Sequence, residues 1–410
     1  MRVLISEGSS LSAREIITAL GLAGHRVGVC DPNAICLGRF SRFVTHFYRC
    51  PAVGTDPRGY LDAVVEILAG GSWDVLLPAH EQAFLFARER ARIPPAVALA
   101  VADFGSFLQL QGKAALVRTL ARLSLPQPPW RVIRNRAELE TPSRYPCYLK
   151  ANYTTASKAV WRIGNSEELR SKSAELSGQG RLDGSEEFVV QACAEGVLER
   201  VLAVFNRGEL LGIHSYRQLL PGPGGGDTAK LGVLRPVVYR HVARLGAELC
   251  WHGALSMDYV LPEAGGPPLF IDANPRLVEP MNAVLSGINL ADMLVRVSMG
   301  QSPGAERPVP AQVRTHLLLM ALLSAADSRQ RRVDVAKAAF RVLAGRGIYA
   351  QSREELLPIR DDFQCLIPLI YAALRLFLRP ASSSSLSAGS IASYSLSPSV
   401  AKQIADLSIS

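Results

Sequence analysis

The chain has 410 residues, 48% of them hydrophobic, with 45 Lys and Arg against 36 Asp and Glu for a formal net charge of +9. At ~100–200 residues per domain, this length excludes a single small fold and predicts two to four modules with sizeable cores. The basic excess suits polyanionic ligands such as nucleotides or lipid headgroups, but there is no long Lys/Arg run and no basic stripe interleaved with aromatics, which argues against a nucleic-acid partner.

The first hundred residues alternate strand-like and helical patterns. Val3 to Ile5 is an apolar run, and Ser12-Ala13-Arg14-Glu15 has the spacing of a capping box that opens a helix ended by Gly24. Next come a strand over Arg26 to Cys30, a helix around Tyr60 to Ala69, a strand over Asp74 to Pro78, a helix from Glu81 and the apolar run Val97 to Val101. This βαβα order predicts a parallel sheet flanked by helices. The turn after the first strand reads EGSSLS, so a GxGxxG dinucleotide site is not supported.

From Gly112 a helix carries Leu116, Leu120 and Leu123 on one face, and Pro126, Pro128 and Pro129 end it. Longer strands follow at Cys147 to Lys150, Phe188 to Gln191 and Val201 to Phe205, with Asn206 to Glu209 reading as a hairpin turn into Leu210 to His214. An antiparallel α+β region is expected, with a helix near Pro236 to Trp251. Beyond Pro310 the pattern is helix-rich. The apolar stretch Phe363 to Leu378 is too short for a confident membrane span and predicts packing on the main body, with contact to a membrane surface or a protein partner as the other reading. Ser382 to Ser390 reads as a flexible Ser-rich tract.

Seven cysteines are scattered, with no CxxC pair and no neighbouring His at metal spacing, and the amino terminus lacks a signal-peptide stretch. The expectation is a cytoplasmic protein, membrane-associated if residues 363–378 lie on a bilayer.

The strongest chemical signal is Ser256-Met257-Asp258-Tyr259 followed, after a Gly/Pro turn, by Phe270-Ile271-Asp272-Ala273-Asn274-Pro275-Arg276. In a hairpin, Asp272 and Asn274 share one face and Asp258 can face them, which gathers three hard oxygen donors suited to Mg2+ or Mn2+. Arg276 lies two residues further along that face, where it can hold charge on a transferring phosphoryl group. The plain alternative is an ordinary strand end with a surface ion pair. Lys113 at a helix start and Lys150 at a strand end can reach phosphates or be solvated ends, and the loop carrying Thr154, Thr155, Ser157 and Lys158 can fold over phosphates or be a hairpin tip. Arg217, before the glycine-rich run Pro221 to Asp227, and Glu279 are secondary substrate candidates, the glycine run reading as a lid or an exposed loop.

In this order, GKAALVRTLARLSLPQP, YPCYLKANYTTASKAV, FVVQACAEG, SMDYV and FIDANPR resemble the ATP-grasp superfamily, in the branch of carbamoyl-phosphate synthase and biotin carboxylase, over residues 1–300. The resemblance implies an α/β pre-ATP-grasp domain over 1–104, an α+β ATP-grasp domain over 105–305 with a lid subdomain about 130–192, and a helical extension over 306–410. By it, Lys113, Lys150, Ser157 and Lys158 would contact ATP phosphates, Gln191, Ala192 and Cys193 would line the adenine, Asp258, Asp272 and Asn274 would bind Mg2+, and Arg276 and Lys150 would be catalytic. The implied reaction activates a small-molecule carboxylate as an acyl phosphate for capture by an amine. Asp272 stands where relatives carry Glu, Gln191 where an acid is common, and the phosphate loop lacks a glycine run. A bicarbonate-activating enzyme of the carboxylase or carbamoyl-phosphate synthase kind and a nucleotide-binding protein without turnover are the alternatives.

Overall fold

The computed structural model describes residues 1–140, 144–155, 159–263, 265–301, 304, 312–356 and 358–407. Its first sheet is parallel, in the order β3 (Val44–Arg49), β2 (Arg26–Asp31), β1 (Arg2–Ile5) and β4 (Val75–Leu77), with Val3 opposite both Val27 and Val75. Helices α1 (Leu11–Leu22), α2 (Pro57–Ala69) and α3 (Gln82–Arg88) connect and cover it. The cap of α1 is Ser10, two residues before the expected capping box, with its hydroxyl accepting from Ala13 N at 3.0 Å. Ser12 and Glu15 are instead buried inside the helix. β3 was not anticipated, because VTHFYR lacks an apolar alternation, and Val97 to Val101 contributes only a bridge from Ala98 to Val75.

Helices α4 (Phe104–Gln111) and α5 (Lys113–Arg122) lead into a four-stranded antiparallel sheet ordered β5 (Trp130–Asn135), β8 (Asp183–Ala192), β6 (Cys147–Ala151), β7 (Val160–Ile163). Helices α6 (Arg136–Glu140) and α7 (Ser166–Gly178) pack against each other beside it. Leu116, Leu120 and Leu123 are buried as their spacing requires.

The central sheet has seven strands in the order β13 (Leu269–Asn274), β12 (Gly253–Leu261), β9 (Val197–Asn206), β10 (Glu209–Pro221), β11 (Asp227–Val233), β14 (Arg314–His316), β15 (Arg353–Glu354). The β9–β10 turn holds Arg207 at φ 48° and Gly208 at φ 94°, the two positive values that a tight hairpin turn demands. Helix α8 (Pro236–Glu248) buries Val238, Val242 and Leu245 against the sheet, and α9 (Met281–Leu285) and α10 (Leu290–Ser298) contact strands β9 to β12 and α1. One continuous core runs from Phe84 and Phe107 through Trp251 to Met257, Tyr259 and Phe270, each side chain contributing ~1.5–3 kcal/mol by leaving water.

The last hundred residues depart from the expected helical extension in one respect: β14 pairs antiparallel with β11, and β15 parallel with β14, so two of their segments complete the central sheet. Around them stand α11 (Leu318–Arg329), α12 (Arg332–Leu343), α13 (Leu366–Leu378), α14 (Ser383–Tyr394) and α15 (Pro398–Ala405). The Ser-rich tract expected to be flexible forms α14, capped at its far end by contacts of Ser393 and Tyr394 with the first domain. Helix α13 packs on the body through Leu369, Ala372 and Leu376, while Ile367, Ile370, Leu374, Phe377 and Leu378 remain exposed. Among the described residues no helix is long and apolar enough to cross a membrane.

Candidate active site

The β12–β13 hairpin sets Asp258 directly opposite Asp272 and Ser256 opposite Asn274. Met257, Tyr259 and Ala273 belong to the core, so the strand alternation turns their neighbours Asp258, Asp272 and Asn274 to the other face, where all three line one cavity. A bulge between Asp258 and Tyr259 leaves Ile271 as the extra residue, and its carbonyl accepts from Lys150 Nζ at 2.9 Å.

Lys150 leaves β6 and also donates to Gln191 Oε1 at 2.7 Å. Burial, assisted by the neighbouring Lys113 ammonium, lowers its pKa from 10.5 to about 8 against the pull of Asp272 and Asp258. Lys113 is the first residue of α5 and forms an ion pair with Asp272. Its position is fixed by the loop after β6: Lys113 N donates to Asn152 O at 2.9 Å and Ala114 N to Asn152 Oδ1 at 3.0 Å. A side chain at Gly112 would meet Asn152 Oδ1 at 2.8 Å, so glycine permits this close approach. Burial pushes the Asp272 carboxyl up, but Lys113 and Lys150 outweigh it and hold the group below the usual range. Burial wins at Asp258, which is raised despite Arg200 Nε at 3.2 Å.

Arg276 is 9% exposed and lines the same cavity. Its Nη2 donates to Asn274 Oδ1 at 3.3 Å and lies 3.8 Å from Glu81 Oε1, whereas Nε and Nη1 are buried without a hydrogen-bond partner among the described residues. Unpaired buried guanidinium nitrogens are costly, and an anionic group in the cavity would satisfy them. Beside Arg276, burial and its charge hold His80 well below the usual imidazole range, hence neutral.

Gln191 and Ala192 end β8, and Cys193 follows it; Ala192 N donates to Pro129 O at 2.8 Å and Cys193 N to Pro146 O at 3.2 Å. None of the three lines the cavity, but Gln191 joins them to Lys150 and keeps its buried Nε2 without a partner among the described residues. Thr154 and Thr155 line the cavity, while Ser157 and Lys158 lie outside the described residues.

Two secondary candidates separate. Glu279 lines the cavity and accepts from Lys230 Nζ at 2.7 Å, and Lys230, 0% exposed, also donates to Glu355 at 2.6 Å. Arg217 requires a correction: its Nε pairs with Glu199 at 3.0 Å, beside Arg235 and Tyr259, and it does not line the cavity. The register of β9 against β10 puts Arg217 opposite Glu199, and the adjacent residue Arg200 takes the cavity side, bonded to Asp227 and to Gly225 O at 2.8 Å. Arg200 and Lys230 were missed although each is a cation in a largely apolar strand that also carries an acid, Glu199 in VLERVLAVF and Asp227 in DTAKLGV, a pattern that points to a buried ionic role. Residues Pro223 to Asp227 line the cavity beside them.

No family model and no curated protein sequence matches the chain. Solved structures are similar in fold. The biotin carboxylase domain of the 2-oxoglutarate carboxylase of Hydrogenobacter thermophilus, solved with MgADP and bicarbonate, aligns with a TM-score of 0.59 at 15% identity over 76% of this chain and 73% of that one. An L-amino acid ligase from Bacillus licheniformis aligns with a TM-score of 0.55 at 16% identity over 73% and 74% of the two chains. The N5-carboxyaminoimidazole synthetase of Staphylococcus aureus gives a TM-score of 0.56 at 12% identity over 76% and 80%. A parallel amino-terminal sheet, a small antiparallel sheet carrying Lys150 and a central sheet carrying the Asp258–Asp272 hairpin together give this chain the ATP-grasp fold.

Proposed function

We propose that the protein is an ATP-dependent ligase that converts a substrate carboxylate to an acyl phosphate and passes the acyl group to an amine. The observation that carries this reading is the meeting of Lys113, Lys150, Asp258, Asp272 and Asn274 with the unpaired nitrogens of Arg276. The donor set is all oxygen, and Asp272 already holds a cation in the Lys113 ammonium, so Asp258, Asp272 and Asn274 fit Mg2+ or Mn2+. When bound, the metal supplies charge neutralisation on the nucleotide phosphates.

Lys113 and Lys150 hold phosphate oxygens, and the Gln191–Cys193 segment receives the base. A carboxylate oxygen attacks the γ-phosphorus, the bond from that phosphorus to the β-phosphate oxygen breaks, and ADP leaves with the electron pair. Arg276 offsets the negative charge on the migrating group through Nε and Nη1. The amine then attacks the acyl carbon, inorganic phosphate leaves, and the amine gives up a proton, for which Glu279 is the carboxylate at the cavity wall.

The test is ADP release with candidate acids and amines, comparing the native chain with Lys150→Ala and Asp272→Ala. Acid-dependent ADP release that both substitutions abolish is expected; a protein that neither binds Mg-ATP nor responds to either substitution overturns the reading. The likeness to a biotin carboxylase domain solved with bicarbonate favours a second reading, in which bicarbonate is the activated acid. ADP release driven by bicarbonate without any other acid would select it.

A further inference from the structure

The cavity in front of Arg276 has a volume of about 780 Å3, within the ~300–1,000 Å3 range of small-molecule sites. Its lining has two chemistries. One part is the ionic set already described. The other is Leu319, Met320 and Leu323 of α11, Ala372 of α13, and Leu386 and Ile391 of α14.

The base of a nucleotide does not account for that apolar wall, because Gln191, Ala192 and Cys193 lie outside the cavity lining. Nor is the wall a packing flaw closed by neighbours. Leu319, Met320 and Leu323 belong to the core cluster of the last hundred residues and also line the cavity. Helical spacing then brings Pro368, Tyr371, Ala372 and Arg375 of α13 to the same lining, at intervals of three and four. Next to this lining stripe on α13, Ile367, Ile370 and Leu374 are each more than half exposed, so the apolar surface continues from the cavity rim to the outside.

Building on the ligase reading, we infer that the carboxylate substrate carries an extended apolar chain, seated between α11, α13 and α14 with its acid end toward Arg276. Water leaves the apolar wall when the chain enters, and the ionic part fixes the direction in which it lies. Arg375, whose guanidinium meets Tyr371 Oη at 3.5 Å and Ser385 Oγ at 3.3 Å, stands at the rim over the tail of the chain.

The test uses the full chain with Mg-ATP, hydroxylamine as the acyl acceptor, and straight-chain acids of increasing length. Expected is a rise in kcat/KM of about fourfold per added methylene until the apolar part is filled. Ala372→Trp, which narrows that part of the cavity, should remove the gain for long acids. Tyr371→Asp, at an exposed rim position, should weaken long acids selectively. Acid binding without nucleotide, measured by displacement of a fluorescent alkyl acid, gives a readout independent of turnover. If acids bind more tightly with length and Ala372→Trp abolishes this, the inference stands even where no hydroxamate forms and the ligase reading fails. If short and long acids are turned over alike, or both variants affect all lengths equally, the inference is overturned while the ligase reading survives.

Discussion

Replacing Lys150 with methionine isolates the cost of burying an ammonium between Gln191 and the Ile271 carbonyl. The side chain is 8% exposed, and burial lowers its pKa from 10.5 to about 8. At ~1.4 kcal/mol per pH unit, the protonated form costs the folded chain about 3 kcal/mol near neutral pH. Between pH 8 and 10.5 the unfolded chain binds more protons at this position than the folded one, so its contribution to stability rises with pH. From pH 7 to pH 9.5 the native protein should gain about 2 kcal/mol relative to Lys150→Met. The substitution also strands Gln191 Oε1 and the Ile271 carbonyl, at ~1–3 kcal/mol each, but that penalty is independent of pH and cancels in the comparison. Urea unfolding of both proteins at the two pH values measures the difference. A constant difference would refute the reasoning, since Lys150 would then keep a solvated ammonium and be turned away from both acceptors.

Arg276→Ala should lower acid-dependent ADP release by about 10²–10³-fold, the loss typical of one transition-state charge stabiliser, without lowering Tm, since two of the guanidinium nitrogens have no partner among the described residues. Lys230→Met leaves the fully buried Glu355 and the cavity-wall Glu279 without their ammonium, and urea unfolding should show a loss of about 3–5 kcal/mol. Arg217→Ala removes one of the two guanidinium partners of Glu199 on a partly exposed side chain. Stability should fall by less than about 1 kcal/mol, and kcat/KM for the acid should stay within about twofold.

What was legible in the sequence followed from short-range periodicity. Asp258, Asp272 and Asn274 could be placed together because a strand alternates every second residue and SMDYV and FIDAN are joined by one turn. Lys113 was legible because a helix start after Gly112 leaves little choice of direction. Longer-range features were not. β14 is three residues long and joins β11 across about eighty residues, so no local pattern marks it. Which of Glu199 and Arg200 faces the cavity depends on the pairing of β9 with β10 and β12, and the neighbouring choice between Arg217 and Arg200 was lost with it. The serines of α14 suggested a mobile tract, yet Tyr394 at its end packs on His80 with ring centres 3.9 Å apart, and Leu396 N donates to Thr155 Oγ1 at 3.0 Å. Tertiary contacts override weak helix propensity there.

The insertion of β14 beside β11 also imposes a schedule on synthesis. While the ribosome is still adding residues before 314, β11 is an open sheet edge, and Lys230, on that strand, lacks the carboxylate of Glu355. Seven strands can therefore close, and the buried ammonium can be neutralised by both of its bonded partners, only after residue 355 has been translated, so the central sheet is completed late.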